Sequence, residues 1–262
     1  MSFQLQDKAI VIIGGTTGIG LSAARAFIEK GAKVVVTGIS DVQGAALALG
    51  ASGIAIAADA RQSGAAYDAI NACISAFGGF HGLYHVAGGS GRRFGDGLLH
   101  ELTLEGWNST MELNLTSLML SNQAAVRQFR AQGGGGAILN MGSVLGSFPS
   151  VPHFTTHAYA AAKSAIAGFS KSIAACYAAD NIRVNVITPG LVETPMSARA
   201  AGDDRIMSFI RTKQPLDGGR IGRTTDLDGL ASLLLSDEGA FITGQVIGAD
   251  GGWSVTEGQL NS

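Results

Sequence analysis

The chain is poor in cysteine, proline and charge, and it has no long hydrophobic run. Its two cysteines, Cys73 and Cys176, lie far apart and fit no metal-ligand spacing. Cys73 falls in a helical pattern and reads as a buried thiol. This cysteine usage suits a cytoplasmic location. Five prolines stand against 38 glycines, which argues against a proline-rich linker and for tight turns and close backbone approaches. Charged residues make up 15% and hydrophobic residues 46%, the reverse of a disordered composition. A net charge of -2 and the lack of a basic stripe predict no nucleic-acid partner and no attraction to an anionic membrane. No apolar run reaches the roughly 18 residues needed to span a bilayer. The apolar stretch after Asp7 and Lys8 is too short for a secretory signal.

What is present is an alternation of short apolar runs and longer helical patterns. Strands are expected at 8–15, 33–38, 53–60, 80–88, 136–143, 182–190 and 244–252. Helices are expected at 20–32, 42–51, 65–77, about 104–130 and 158–179. Continuous apolar strands separated by helices imply a parallel sheet covered on both faces. A length of 262 residues, with no repeat and no linker, predicts one α/β domain, doubly wound, over 1–262.

After the first strand comes Gly14-Gly15-Thr16-Thr17-Gly18-Ile19-Gly20, which opens a helix. Glycine is needed where the backbone turns sharply and where it must approach a pyrophosphate. A helix start then offers free N–H groups to that anion. The spacing is G-x-x-x-G-x-G rather than the commoner G-x-G-x-x-G. Further on, Tyr159 and Lys163 are four apart, on one face of a helix. A nearby ammonium favours phenolate, so the pair suits acid/base work. Moving a phenol from near 10 to about 7 takes roughly 4 kcal/mol of differential stabilisation. Ser143 follows the fifth strand and Asn114 lies on the long helix.

These motifs together resemble the short-chain dehydrogenase/reductase family, in order and over nearly the whole chain. The glycine loop is followed by Asp59, Ala87-Gly88, Asn114, Ser143, Tyr159, Lys163, Pro189-Gly190 and Thr194. The resemblance implies a Rossmann-like fold of about seven parallel strands. It also implies an NAD(P)-dependent oxidoreductase that moves a hydride between nicotinamide and a carbonyl or secondary alcohol, of sugar type, 3-oxoacyl or cyclic. Tyr159 would then exchange the proton. Lys163 would tune it and hold the nicotinamide ribose, Ser143 would position the substrate oxygen, and Asn114 would hold a water. Gly14, Thr16, Thr17, Gly18, Ile19 and Gly20 would line the diphosphate, and Asp59 and Ala60 the adenine. Ala87, Gly88, Pro189, Gly190, Val192 and Thr194 would flank the nicotinamide half. The family also implies a lid around 193–222 and a homotetramer. No metal is expected. The alternative from another class is a non-catalytic NAD(P)-binding sensor module.

Departures from the family pattern are specific. His85-Val86-Ala87-Gly88 stands where the family has Asn-Asn-Ala-Gly, and His85 is expected to tie down neighbouring backbone through a ring nitrogen. Ser143 to Tyr159 spans 16 positions, slightly long for the family, which places His153, Phe154 and His157 by the substrate pocket. The second strand ends Gly38-Ile39-Ser40, without the acid that would hold an adenosine ribose 2′-OH and repel a 2′-phosphate. Thr17 and Ile39 supply no base either, which leaves Ser40, backbone N–H groups and Arg61 to meet a phosphate. The expectation leans to NADP over NAD. Arg92 and Arg93 read either as a grip for a substrate carboxylate or phosphate or as a solvated surface pair.

Overall fold

The computed structural model describes residues 5–151 and 153–259. Seven strands form one parallel sheet in the order β3-β2-β1-β4-β5-β6-β7. In chain order the elements are β1 (Ala9–Ile13), α1 (Gly18–Glu29), β2 (Lys33–Gly38), α2 (Val42–Leu49), β3 (Gly53–Ala57), α3 (Ala65–Phe77), β4 (Gly82–His85) and α4 (Leu104–Met111). A π turn at Glu112–Thr116 leads into α5 (Ser117–Gln132), β5 (Gly136–Met141), α6 (His157–Tyr177) and β6 (Ile182–Pro189). The chain ends with α7 (Ala198–Ala201), α8 (Asp204–Lys213), α9 (Asp228–Leu235) and β7 (Val246–Ala249).

The period of two along β1 splits the core. Ile10 and Ile12 join Ala23, Ala24 and Phe27 of α1 and Ala231 of α9 on one face. Val11 and Ile13 join Ile70 of α3 and Phe129 of α5 on the other. Every residue of β1 is buried, which is why that strand reads as a continuous apolar run.

The sheet order reverses between β1 and β4, and this crevice is where such folds bind ligands. Ile13 O accepts from both Val86 N (2.8 Å) and Ala87 N (2.9 Å), so the two strand ends are tied together at its floor.

Two expectations are corrected, and three helices appear where no element is expected. The first helix starts two residues earlier than the apolar pattern suggests, at Gly18, whose φ of +53° lets the loop turn directly into it. The long helix around 104–130 is interrupted by the π turn, in which Ser117 N bonds Glu112 O across one extra residue. The lid region 193–222 carries helices α7 and α8, and α9 follows it; periodicity had assigned none of the three.

Candidate active site

One cleft of about 690 Å³ opens along the carboxyl ends of the strands. It gathers residues from every family motif except Asn114, which lies buried behind it beside the lining residues Gly88, Gly89 and Leu113. Gly14, Thr16, Thr17, Gly18 and Ile19 line it from the glycine loop. A Cβ on Gly14 would stand 2.6 Å from Ala87 N, so only glycine permits β1 and β4 to close here. Thr17 opens α1 without a side-chain cap, and no acid occupies the first turn, so the helix start keeps its N–H groups for an anion. Gly20 does not line the cleft. A Cβ there would run into Gly14 O, so it is a packing glycine that lets α1 sit on the loop.

The end of β2 explains its missing acid. A Cβ on Gly38 would collide with the Thr16 side chain, which is 3% exposed and has little room to move. Ser40 lines the cleft beside Ile39, which is 72% exposed. Asp59 and Ala60 line the same end. Arg61 is turned onto Asp59, with Nε 3.0 Å from Oδ1 and Nη2 2.5 Å from Oδ2. That pairing holds the Asp59 carboxyl below its usual range and commits Arg61 to it. Arg61, expected to help from the side, meets Asp59 and is not among the residues that line the cleft.

At the other half of the cleft, Ala87 and Gly88 follow β4. Asn114 is fully buried in the π turn. Its Nδ2 donates to Gly89 O and Thr110 O, both at 2.9 Å, and its Oδ1 accepts from Gly89 N at 3.0 Å. The amide thus clamps the backbone after β4, and one lone pair on Oδ1 is its remaining capacity for a water. A Cβ on Gly88 would lie 2.7 Å from Asn114 Oδ1 and 3.5 Å from Lys163 Nζ, so both groups border the same point.

His85 bonds the neighbouring Ala87 backbone, as expected, and it also meets two serines of α5. Its Nδ1 is 2.7 Å from Ser121 Oγ and its Nε2 is 3.4 Å from Ser117 Oγ. Its side-chain partners belong to α5, and the Ala87 backbone hydrogen bond favours the charged ring. Burial, aided by the Lys163 ammonium, pushes the imidazole down to about 3, so it stays neutral.

Ser143 and Lys163 are buried and Tyr159 is partly buried; all three line the cleft. The Ser143 side chain hydrogen-bonds Tyr159 and accepts from Leu145 N at 3.2 Å. Lys163 Nζ donates to Met141 O at 2.8 Å and lies 5.6 Å from the Tyr159 ring centroid. Burial pushes the Tyr159 phenol above its usual range while Ser143 pulls it down. Burial pushes the Lys163 ammonium down to about 7. Desolvation favours the uncharged form of both groups, so the proton rests on the phenol.

Asp96 was missed in the sequence. It is 3% exposed and sits in the loop after β4. Its Oδ1 accepts from Ala158 N at 3.0 Å and its Oδ2 from Tyr159 N at 2.8 Å. Thr156, at the start of α6, makes no side-chain cap of its own. A carboxylate 62 residues away caps the helix that carries Tyr159 and Lys163, and no local pattern announces that role.

Pro189, Gly190, Val192 and Thr194 line the cleft past β6. Thr194 also forms a reciprocal cap with Ser197, so its capping and lining roles coexist. Leu145, Phe154, Met196 and Trp253 wall the far end. Trp253 stands edge-on to Phe154 (5.4 Å) and Phe209 (6.2 Å), which ties α8 to this wall. Arg92, Arg93 and Arg199 also line the cleft there. Arg93 stacks over Phe94 at 4.7 Å. His153 borders a neighbouring side cleft and packs on Phe209, whereas His157 is exposed at the start of α6 and lines neither cleft, contrary to expectation. Pro152 lies outside the described residues. Among the described residues no group of His, Cys, Asp and Glu could hold a metal ion, and no helix is long and apolar enough to cross a membrane.

A doubly wound sheet with a glycine cradle at one end of its crevice and a Ser-Tyr-Lys cluster at the other defines a dinucleotide-dependent oxidoreductase. Residues 14–254 match a family model described as enoyl-(acyl carrier protein) reductase. The chain is 32% identical over 97% of its length to 2,5-dichloro-2,5-cyclohexadiene-1,4-diol dehydrogenase of Sphingobium indicum, covering 99% of that protein. It is 33% identical, again over 97% of its length and 99% of the relative, to the NADP-dependent (R)-specific alcohol dehydrogenase of Lentilactobacillus kefiri. A solved short-chain type dehydrogenase/reductase from Mycobacterium ulcerans superposes with a TM-score of 0.87 at 31% identity, over 98% of this chain and 93% of that one. The chain belongs to the short-chain dehydrogenase/reductase family, and it is an NAD(P)-dependent oxidoreductase.

Proposed function

We propose that this protein interconverts a cyclic secondary alcohol and its ketone, with Tyr159 exchanging the proton on the substrate oxygen. The observation that carries this reading is the convergence of Ser143, Tyr159 and Lys163 on one cleft whose other end is the glycine cradle. The crowding at Gly14 and the uncapped start of α1 fit a dinucleotide diphosphate. A bound nicotinamide dinucleotide supplies the hydride donor or acceptor. Ser143 holds the reacting oxygen against the phenol. Tyr159, protonated at rest, gives its proton as that oxygen gains charge. Lys163 would hold the nicotinamide ribose and steadies the phenolate so formed. Asn114 fixes the backbone of Gly89, and its free lone pair serves a water on the proton path. The apolar wall of Leu145, Phe154 and Trp253 suits a ring, and a relative named for a cyclohexadiene diol supports that class.

The coenzyme is NADP by preference. No carboxylate stands at Gly38, Ile39 or Ser40 to repel a 2′-phosphate, and Thr16 occupies the place an acid would need. A relative named as NADP-dependent supports this. The assembly is a homotetramer by the family's habit, which light scattering on the purified protein checks. The activity is tested by following reduced nicotinamide during oxidation of cyclohexanol-type alcohols and reduction of their ketones, with each coenzyme. Turnover of cyclic substrates with NADP supports the reading. Turnover confined to open-chain thioesters, or to NAD, overturns its substrate or its coenzyme part.

A further inference from the structure

Arg92 and Arg199 line both the main cleft and the smaller side cleft that opens beside it. Arg92 comes from the loop after β4 and Arg199 from α7. Among the described residues neither forms an ion pair. Arg92 donates from Nη2 to His153 O at 3.3 Å, which steers the guanidinium without neutralising it. Asp96, the carboxylate nearest in sequence, has both oxygens engaged by the start of α6. Glu101 and Asp203 border the side cleft only, and Asp203 Oδ1 accepts from Arg205 N and Ile206 N. Burial, and then the like charge of Arg199, disfavour the charge on Arg92, and Asp96 partly offsets them. A like-charged pair held over an apolar wall is a site for an anion, and a planar guanidinium favours a bidentate oxyanion.

We propose that Arg92 and Arg199 bind a carboxylate carried by the substrate, so that the natural substrate is a cyclic hydroxy or oxo acid. This rests on the oxidoreductase reading above and adds the acid group. The ring lies against Phe154, Leu145 and Trp253, the reacting oxygen meets Ser143 and Tyr159, and the carboxylate reaches the arginine rim. The anion also fixes which ring carbon faces the reacting end, so the pair determines regiochemistry as well as affinity.

Two measurements test this. The first compares kcat/KM for 3- and 4-hydroxycyclohexanecarboxylate with that for their methyl esters, in the wild type and in an Arg92→Ala/Arg199→Ala double variant. The wild type should prefer an acid by about 10- to 100-fold, as charged hydrogen bonds at a partly solvated site allow. The double variant should bring the ratio near one, and high salt should shrink it in the wild type. The second is calorimetric binding of unreactive cyclohexanecarboxylate, and of neutral cyclohexanemethanol, to the coenzyme-saturated protein. Acid binding that the double variant loses supports the subsite even if no probe turns over, in which case the cyclic-alcohol reading fails and the anion site stands. Equal use of acid and ester, or no acid binding by the wild type, overturns the proposal and leaves the oxidoreductase reading intact.

Discussion

Replacing Asp96 by alanine should unseat the helix that carries the reacting groups. The carboxylate accepts two hydrogen bonds, from Ala158 N at 3.0 Å and Tyr159 N at 2.8 Å, in a site 3% exposed. Thr156 offers no replacement cap. Each orphaned donor costs about 1–3 kcal/mol, less where water can reach it, so the change costs roughly 2–4 kcal/mol in all. For a chain of this size that lowers Tm by roughly 5–12 °C. Asp96→Asn keeps one acceptor oxygen and turns an N–H donor towards the other amide, so it should recover less than half. Turnover should fall further than stability explains, because the lost bond is to the Tyr159 backbone itself. A displacement of about 1 Å at the reacting group costs on the order of 100-fold. Thermal unfolding and kcat of the three proteins, measured on folded samples, check this. An alanine variant melting within about 1 °C of wild type with unchanged kcat would refute the reasoning.

Lys163→Met should abolish turnover and stabilise the fold at neutral pH. The lysine is held near 7 by burial, against 10.5 when exposed. Its folded value is depressed, so the unfolded chain binds more protons between about 7 and 10.5 and wild-type stability rises with pH through that window. The rise from pH 7 to 9 is about 2 kcal/mol from this group; denaturant unfolding should find it in wild type and not in the methionine variant. Gly38→Asp should cost about 1–3 kcal/mol by overpacking against Thr16. Pairing it with Thr16→Ala should recover most of that and move coenzyme preference towards NAD, which a double-mutant cycle on stability and on both coenzyme affinities would detect.

Much of this site was legible because its signals are local. β2 and α3 occupy their expected residues since each is framed by glycine and carries its own apolar period. The glycine loop and the Tyr159–Lys163 pair are local spacings that gained meaning from the resemblance of the whole motif set to the family. What stayed hidden depends on contacts between distant segments. Asp96 serves a helix 62 residues on, from a loop with no periodicity. The collision that keeps Gly38 a glycine involves Thr16, across two strand ends. The π turn at Asn114 changes one backbone hydrogen bond and leaves the apolar pattern of α4 and α5 intact. The helices of the lid gain their apolar partners only when Phe209 and Ile210 meet Trp253, more than forty residues later. His85 could not be placed without knowing that Ser117 and Ser121 of α5 would face it.

The most direct test is Tyr159→Phe, which removes one hydroxyl and leaves the ring and Lys163 in place. General acid/base catalysis is typically worth 100- to 10,000-fold. Steady-state turnover of a cyclic alcohol should drop by that order, while the thermal shift given by NADPH stays at the wild-type size. Turnover within a few-fold of wild type, with NADPH binding retained, would contradict the assignment of Tyr159 as the proton donor.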